Sequence, residues 1–416
     1  MGQITQQQSN TFLNDSVVTT GHVGISIFEP ATGKYLYNYN ADKNFVPSSN
    51  VKLFSLYAGI KYLGDSLVGM RYAENDTAVF IYPSGDPTLL HIDFKSQPVI
   101  NFLTSTPKHI FINDVFKSKA YGSGWAWSDY QDYYMAERSA LPIYGNTVAF
   151  ILKKNTFETV PPQSSSFSFS QNFADKNIET TVQRDFFRNS FTTLQNNKSN
   201  ETVFTPFITS ATLSAKLLAD TVHKKVAVQA LDELHKVKIN TIKIFHSRPV
   251  DSLFKPMMFN SDNFFAEQTL LMVSNEKLGY MSDEEIIDTL LKNDLKDIPT
   301  KPRWVDGSGL SRYNLFSPKD FIYILDKLQK EFGLDRMKRI LPTAGQGTLR
   351  GYYENATGYI YAKTGSMSNN VSLSGYLFTK QNKLLLFSIM INNYSGSGRA
   401  GRKAIEKFIQ DVRATN

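Results

Sequence analysis

Apolar and polar residues alternate or cluster over His22 to Glu29 and again over Lys34 to Asn40. Pro30-Ala31-Thr32-Gly33 lies between them, so the pattern predicts a β-hairpin. After Pro47-Ser48-Ser49 the period changes. Val51 to Leu63 is apolar nearly all round and closes at Gly64, which predicts a buried helix with Ser49 at its start. Farther on, Ser282 with Glu285 reads as a capping box ahead of Ile286 to Leu295. Ser317-Pro318 opens a helix running to Phe332 and stopped by Gly333. Tyr359 to Lys363, Val371 to Thr379 and Lys383 to Asn392 read as strands, and Gly401 to Arg413 as a closing amphipathic helix. The two ends of the chain therefore predict one antiparallel sheet carrying helices, an α/β (α+β) catalytic domain.

The middle has another texture. Val68 to about Asn146 mixes short strands with one or two helices, and Thr147 to Phe207 is rich in Ser, Asn, Thr and Phe. Stretches such as Pro161 to Asn172 and Asn196 to Thr202 suggest strands joined by long polar loops. A helical pattern over Leu213 to Leu234 leads into a strand before Phe245. The expected organisation is insertion. Residues 1–67 and 249–416 form the terminal domain, 68–146 and 207–248 an inserted α/β domain, and 147–206 a second, β-rich insert.

Composition narrows the chemistry. The 416 residues exceed one ordinary core, and 41% hydrophobic with 20% charged residues is a globular balance. The absence of cysteine excludes thiol catalysis, disulfides and thiolate metal sites. No stretch has the length of a membrane span; Leu384 to Ile391, the most apolar segment, suits a buried strand. The net charge of +7 is modest and scattered apart from His223-Lys224-Lys225 and Arg399 to Lys403, and no nucleic-acid module is apparent. Met1 to Gln8 is polar and lacks an apolar signal core.

Three short motifs carry the functional signal. Ser49-Asn50-Val51-Lys52 puts a lysine one helical turn after a serine, where its amine can take the hydroxyl proton. The helix N-terminus disfavours an added positive charge, which helps hold that amine neutral enough to act as a base. Ser105-Thr106-Pro107-Lys108 and Ser274-Asn275-Glu276-Lys277 match the same pattern, but only Ser49 opens a long apolar helix. Ser261-Asp262-Asn263 begins the apolar run Phe264 to Val273 and offers a hydroxyl relay and an amide. Lys363-Thr364-Gly365 ends the strand Tyr359 to Ala362. There Lys363, Thr364 and Ser366 can meet a substrate carboxylate, and Gly365 permits close approach to the backbone.

In this order the motifs resemble the class C low-molecular-mass penicillin-binding proteins, serine D-alanyl-D-alanine carboxypeptidases with domains inserted into a β-lactamase/transpeptidase-like fold. Thr32-Gly33-Lys34 with Asn40-Ala41-Asp42, Gly124 to Asp129, Asp306 to Arg312 and Leu341 to Gly345 strengthen the likeness, as does the wide gap between Ser49 and Ser261. The resemblance covers nearly the whole chain, with 147–207 the loosest part. It implies Ser49 as nucleophile, Lys52 as base, Ser261 as proton relay to the leaving amine, and Asn263 as a peptide contact. It also implies Lys363 and Thr364 at the terminal carboxylate, and the N–H groups of Ser49 and Ser366 as oxyanion hole. Asp129 and Arg312 would grip the free end of a diaminopimelate side chain.

The implied partners are peptidoglycan stem peptides, with β-lactams as covalent inhibitors. No cofactor and no metal are expected. Family membership also implies export to the periplasm or cell envelope, with the signal removed. Two other readings stay in view. A serine β-lactamase shares the motifs, but the Glu-x-x-Leu-Asn segment used for deacylation in class A enzymes is missing after Ser261. An inert wall-binding protein would normally have lost Ser49, Lys52 or Lys363. The balance between trimming terminal D-Ala and cutting D-Ala-diaminopimelate cross-links is not legible in the motifs.

Overall fold

The computed structural model describes residues 6–114, 116–153, 156–162, 164–173, 180–196, 200–229, 242–354 and 357–416. Helix α1 (Gln6–Leu13) precedes the hairpin β1 (His22–Glu29) and β2 (Lys34–Tyr39), and a 3-10 turn, Ser48–Val51, runs into α2 (Lys52–Tyr62). Then come β3 (Ser66–Glu74), β4 (Ala78–Pro83), α3 (Pro98–Ser105), β5 (His109–Asn113), β6 (Thr147–Lys153) and β7 (Thr156–Val160). Strands β8 (Ser168–Phe173), β9 (Thr181–Arg184), β10 (Ser190–Gln195) and β11 (Thr202–Pro206) lead to α4 (Ala211–Val222), β12 (Val226–Gln229) and β13 (Lys243–Pro249). The last part holds helices α5 (Asp251–Phe259), α6 (Asn263–Leu278), α7 (Asp283–Lys292), α8 (Pro318–Phe332) and α9 (Leu334–Ile340). Strands β14 (Ile360–Met367), β15 (Asn370–Phe378) and β16 (Leu384–Asn392) and helix α10 (Gly398–Thr415) complete it.

The chain ends meet in a five-stranded antiparallel sheet of order β14-β15-β16-β1-β2. Strand β16 is central, which explains its unbroken apolar run. Leu385, Phe387, Ile389 and Ile391 pack with Phe408, Ile409 and Val412 of α10 on one face, while Leu386 and Met390 join the helical core on the other. In that helical core α2 is buried from Lys52 to Ile60. Phe54 lies 4.8 to 5.6 Å, ring to ring, from Phe316, Phe321 and Trp304. Each such side chain contributes about 1.5–3 kcal/mol by leaving water. The start of α2 therefore stands on a rigid base.

Three further sheets arise from the middle of the chain. One is mixed and five-stranded, β12-β5-β4-β3-β13; the others are three-stranded, β11-β6-β7 and β8-β10-β9. They share a core that includes Phe150, Phe167, Phe191 and Phe207. This is the α/β fold with added sheets expected from the pattern.

Several boundaries differ from expectation for identifiable reasons. The helix expected over Leu213 to Leu234 ends at Val222, because His223 turns left-handed (φ 54°) and Val226–Gln229 pairs with β5; positions 230–241 lie outside the described residues. At α7 only half of the capping box forms. Ser282 Oγ accepts from the Glu285 N–H, but the Glu285 carboxylate takes the Tyr280 hydroxyl instead. The full box belongs to α8, where Ser317 and Asp320 cap each other. The polar N-terminus contains helix α1, whose Phe12 stacks on Phe408 at 4.7 Å.

Candidate active site

Ser49 lies in the 3-10 turn immediately before α2, and Lys52 is the first residue of that helix. The Lys52 ammonium group is buried and donates to Ser49 Oγ (3.1 Å), Asn263 Oδ1 (2.7 Å) and the Ser308 carbonyl (2.7 Å). Burial pushes its pKa down to about 8, against the opposing pull of Asp262, Asp306 and Glu267. The partners also set its direction. Asn263 donates its Nδ2 to the Tyr134 carbonyl (3.3 Å), which leaves Oδ1 facing Lys52. Two of the three partners can only accept, so a neutral amine spends its two N–H groups on them and turns its lone pair to Ser49.

The second motif departs from expectation at one residue. The helix cap of α6 is Asp262, whose Oδ1 accepts from the Phe265 N–H at 2.9 Å. Ser261 sits just outside in a left-handed conformation (φ 58°) with its hydroxyl 2.8 Å from Lys363 Nζ. The helix cap and the contact to Lys363 are thus divided between neighbouring residues. Lys363 is fully buried, also donates to the Thr364 carbonyl (2.7 Å), and has its pKa lowered well below the usual lysine value by burial and then by Lys52.

Lys363-Thr364-Gly365 does not end its strand. It lies inside β14, which continues to Met367 and pairs through Ser366 with Val371. β14 is the edge of the sheet; its outer side is bridged by Thr343 at Tyr361, and past that bridge it meets no further strand among the described residues. Gly365 is where this edge meets the 3-10 turn. A Cβ there would lie 2.6 Å from the Pro47 carbonyl and 2.2 Å from Ser372 Oγ. Only glycine lets Ser366 come alongside Ser49.

The loop 306–314 closes the other side. Asp306 accepts from the N–H groups of Gly309 (2.8 Å) and Ser311 (2.6 Å), from Asn314 Nδ2 (2.7 Å) and from Trp125 Nε1 (2.9 Å). The Ser308 N–H donates to Glu267 Oε1 (2.7 Å), which holds the neighbouring carbonyl against Lys52. Burial, reinforced by Asp306, pushes Glu267 up to about 7. Gly309 has φ +82°, and a Cβ on it would lie 1.9 Å from the Ser48 carbonyl.

These parts line one cleft of about 450 Å³. Ser49, Ser261, Asn263, Thr364 and Ser366 lie along it together with Asp129, Arg312, Tyr133, Tyr134 and Arg402. Asp129 accepts from Ser128 Oγ and the Tyr134 hydroxyl, each at 3.0 Å. Arg312 is exposed. Lys52 and Lys363 are buried behind the surface. Arg402 and Tyr134 were not singled out by motif reasoning, although Arg402 falls within the basic stretch Arg399 to Lys403. Tyr134 and Ser308 contribute backbone carbonyls, which leave no signal in residue type. No group of three or more His, Asp or Glu among the described residues is arranged to hold a metal. No helix among the described residues is long and apolar enough to cross a membrane.

Comparison with known proteins places the whole chain in one family. A model of the D-Ala-D-Ala carboxypeptidase 3 (S13) family matches residues 5–412. The D-alanyl-D-alanine carboxypeptidase DacB of Haemophilus influenzae is 24% identical over 398 residues, covering 86% of this chain and 82% of its own. The D-alanyl-D-alanine carboxypeptidase of an Actinomadura species is 23% identical over 447 residues, covering 94% and 81%. Among solved structures, penicillin binding protein 4 (dacB) from Haemophilus influenzae superposes with a TM-score of 0.76 at 20% identity over 98% of both chains. A family match spanning almost every residue, on a fold shared end to end, makes this chain a member of the S13 family of D-Ala-D-Ala carboxypeptidases, which are serine peptidases.

Proposed function

We propose that the chain trims peptidoglycan stem peptides through an acyl-enzyme on Ser49, and that the same serine is acylated by β-lactams. The observation that carries this reading is the Lys52 amine, buried, 3.1 Å from Ser49 Oγ and drawn down to about 8. Lys52 takes the hydroxyl proton as Ser49 attacks the carbonyl of the penultimate D-Ala. The N–H groups of Ser49 and Ser366 receive the developing oxyanion. Ser261, held by Lys363, hands a proton to the departing amine of the terminal D-Ala, and water then releases the shortened peptide. The free edge of β14 takes the peptide as an added strand, with Asn263 on its other side.

The two cleft arginines divide recognition. Arg402, alongside Thr364 and Ser366, meets the free terminal carboxylate, while Lys363 acts from beneath through Ser261 and its field. Asp129 and Arg312 meet the two charges at the free end of a diaminopimelate side chain. Endopeptidase action on D-Ala-diaminopimelate cross-links uses the same chemistry and belongs to this proposal, as does a periplasmic or cell-envelope location. We assign 1–67 and 249–416 to the catalytic domain and the intervening segments to its inserts.

The test is intact mass against time after adding benzylpenicillin, with Ser49→Ala alongside, together with D-Ala release from a stem pentapeptide. The expected result is a long-lived adduct on the native protein, none on the variant, and D-Ala release by the native protein alone. Rapid drug hydrolysis would favour a β-lactamase instead, and an untouched drug with no D-Ala release would favour an inert binder.

A further inference from the structure

Exposed aromatic rings gather on one lip of the cleft. Trp127 is 76% exposed, Tyr133 67%, Phe186 44% and Phe187 82%. Trp127 and Tyr133 flank Asp129 in the segment that lines the cleft. Phe186 and Phe187 come from the turn between β9 and β10, far away in sequence. The two segments are built onto each other. Phe186 lies 6.2 Å from Trp127, 4.8 Å from Tyr130 and 4.9 Å from Phe187, in each case edge to face. The Tyr130 hydroxyl donates to the Arg184 carbonyl (2.9 Å), and the buried Arg184 guanidinium sits 4.9 Å from the Tyr130 ring.

Folding normally removes such rings from water, and a fixed, contiguous group left outside marks a binding surface. Exposed Ser128, Asp132, Asp185 and Arg188 lie between and beside the rings. Flat apolar plates bordered by hydrogen-bonding groups match a sugar ring, which offers C–H faces and hydroxyl edges. Continuity with the cleft identifies the occupant. A stem peptide with its C-terminal end at Ser49 and its third side chain at Asp129 and Arg312 leaves past the segment carrying Trp127, and its amino end is joined to an amino sugar.

We propose that the Trp127–Phe186–Phe187 surface is a subsite for the N-acylated amino sugars of the wall polymer that carry the stem peptide. The proposal rests on the reading of Ser49 given above. The enzyme then recognises the glycan as well as the peptide, and the β9–β10 turn supplies half of that recognition.

The experiment compares kcat/KM for a free stem pentapeptide and for the same peptide on its disaccharide, in native protein, Trp127→Ala and Phe187→Ala. The native protein should favour the disaccharide form at least fivefold. Each variant should bring the ratio towards one by raising KM for that substrate, with pentapeptide turnover and benzylpenicillin acylation unchanged. A native ratio of one, or a ratio that neither variant moves, overturns the subsite. Equal loss on both substrates also overturns it, since the rings would then serve the cleft itself. Catalysis-free binding of chitotetraose to Ser49→Ala should be saturable and abolished by Trp127→Ala; no binding counts against the subsite. If the native protein self-associates and Phe187→Ala abolishes this while the substrate ratio stays fixed, the surface serves a second copy and the proposal fails. Absence of acylation and of pentapeptide hydrolysis in the native protein would instead remove the underlying reading of Ser49.

Discussion

A lysine amine with no carboxylate in direct contact, sealed from water, is expensive to keep charged, and burial draws Lys52 down accordingly. Its neutral form takes over as pH rises through about 8. The second-order rate of acylation by benzylpenicillin should therefore rise with pH and level off above that value. Asp262→Asn keeps a capping side chain but removes the strongest anion favouring the ammonium form, so the midpoint should move to lower pH; an unmoved midpoint would detach Lys52 from the profile. The arginines separate by substrate. Arg402→Ala should reduce D-Ala release from any peptide with a free terminal carboxylate by roughly tenfold, in line with loss of one charge-assisted contact. Arg312→Ala should reduce only turnover of peptides with a free diaminopimelate end. Equal losses in both variants on both substrates would refute the division.

Motifs singled out the polar side chains that the structure brings together, but little of what aims them. Ser49, Lys52, Ser261, Asn263 and Lys363 could be singled out because their residue types carry chemistry. The Ser308 and Tyr134 carbonyls that orient Lys52 and Asn263 belong to every residue alike, so no sequence pattern announces them. The division between Asp262 as cap and Ser261 as partner of Lys363 was hidden for a related reason, since both types cap helices equally well.

Among the elements, long periodic segments were the legible ones. The hairpin β1–β2, helix α2, helix α8 with its Ser317 box, and strand β16 announce themselves through turn residues, caps and unbroken apolar runs. Strand β14 was read too short, because Lys363-Thr364-Gly365-Ser366 is polar on an edge that looks onto a cleft rather than a core. Contacts between elements rest on single atoms. Gly309→Ala would drive a methyl group into the Ser48 carbonyl at a backbone angle that alanine resists. We expect a loss of about 1–3 kcal/mol in stability, and acylation slowed by far more than the fall in folded population explains, because Ser49 must shift. Unchanged acylation kinetics would show that the loop tolerates the displacement.

For the molecule as a whole, one buried cation ties the segment before β6 to two helices of the later chain. Arg138 precedes β6 and reaches Glu267 on α6 (3.4 Å) and Asp283 on α7, while its other nitrogens donate to the carbonyls of Lys119 and Tyr121. Arg138→Leu would strand two buried carboxylates and should cost about 3–5 kcal/mol in chemical unfolding. It should also raise Glu267 further and loosen the Ser308 carbonyl from Lys52, so acylation should slow in the molecules that remain folded. A variant with native acylation but lowered stability would confine Arg138 to scaffolding.

The pairing of β1 with β16 has a temporal meaning. A ribosome delivers β1, the strand ahead of Ser49, long before its sheet neighbour β16, with the intervening sheets made in between. Until then β1 has only β2 beside it, too little for a stable sheet. The intervening sheets pair within shorter stretches of chain and can settle while translation continues. Each newly made molecule thus waits for β16, the strand that joins β1 to β15 and β14, before the two sides of the Ser49 cleft can close on each other.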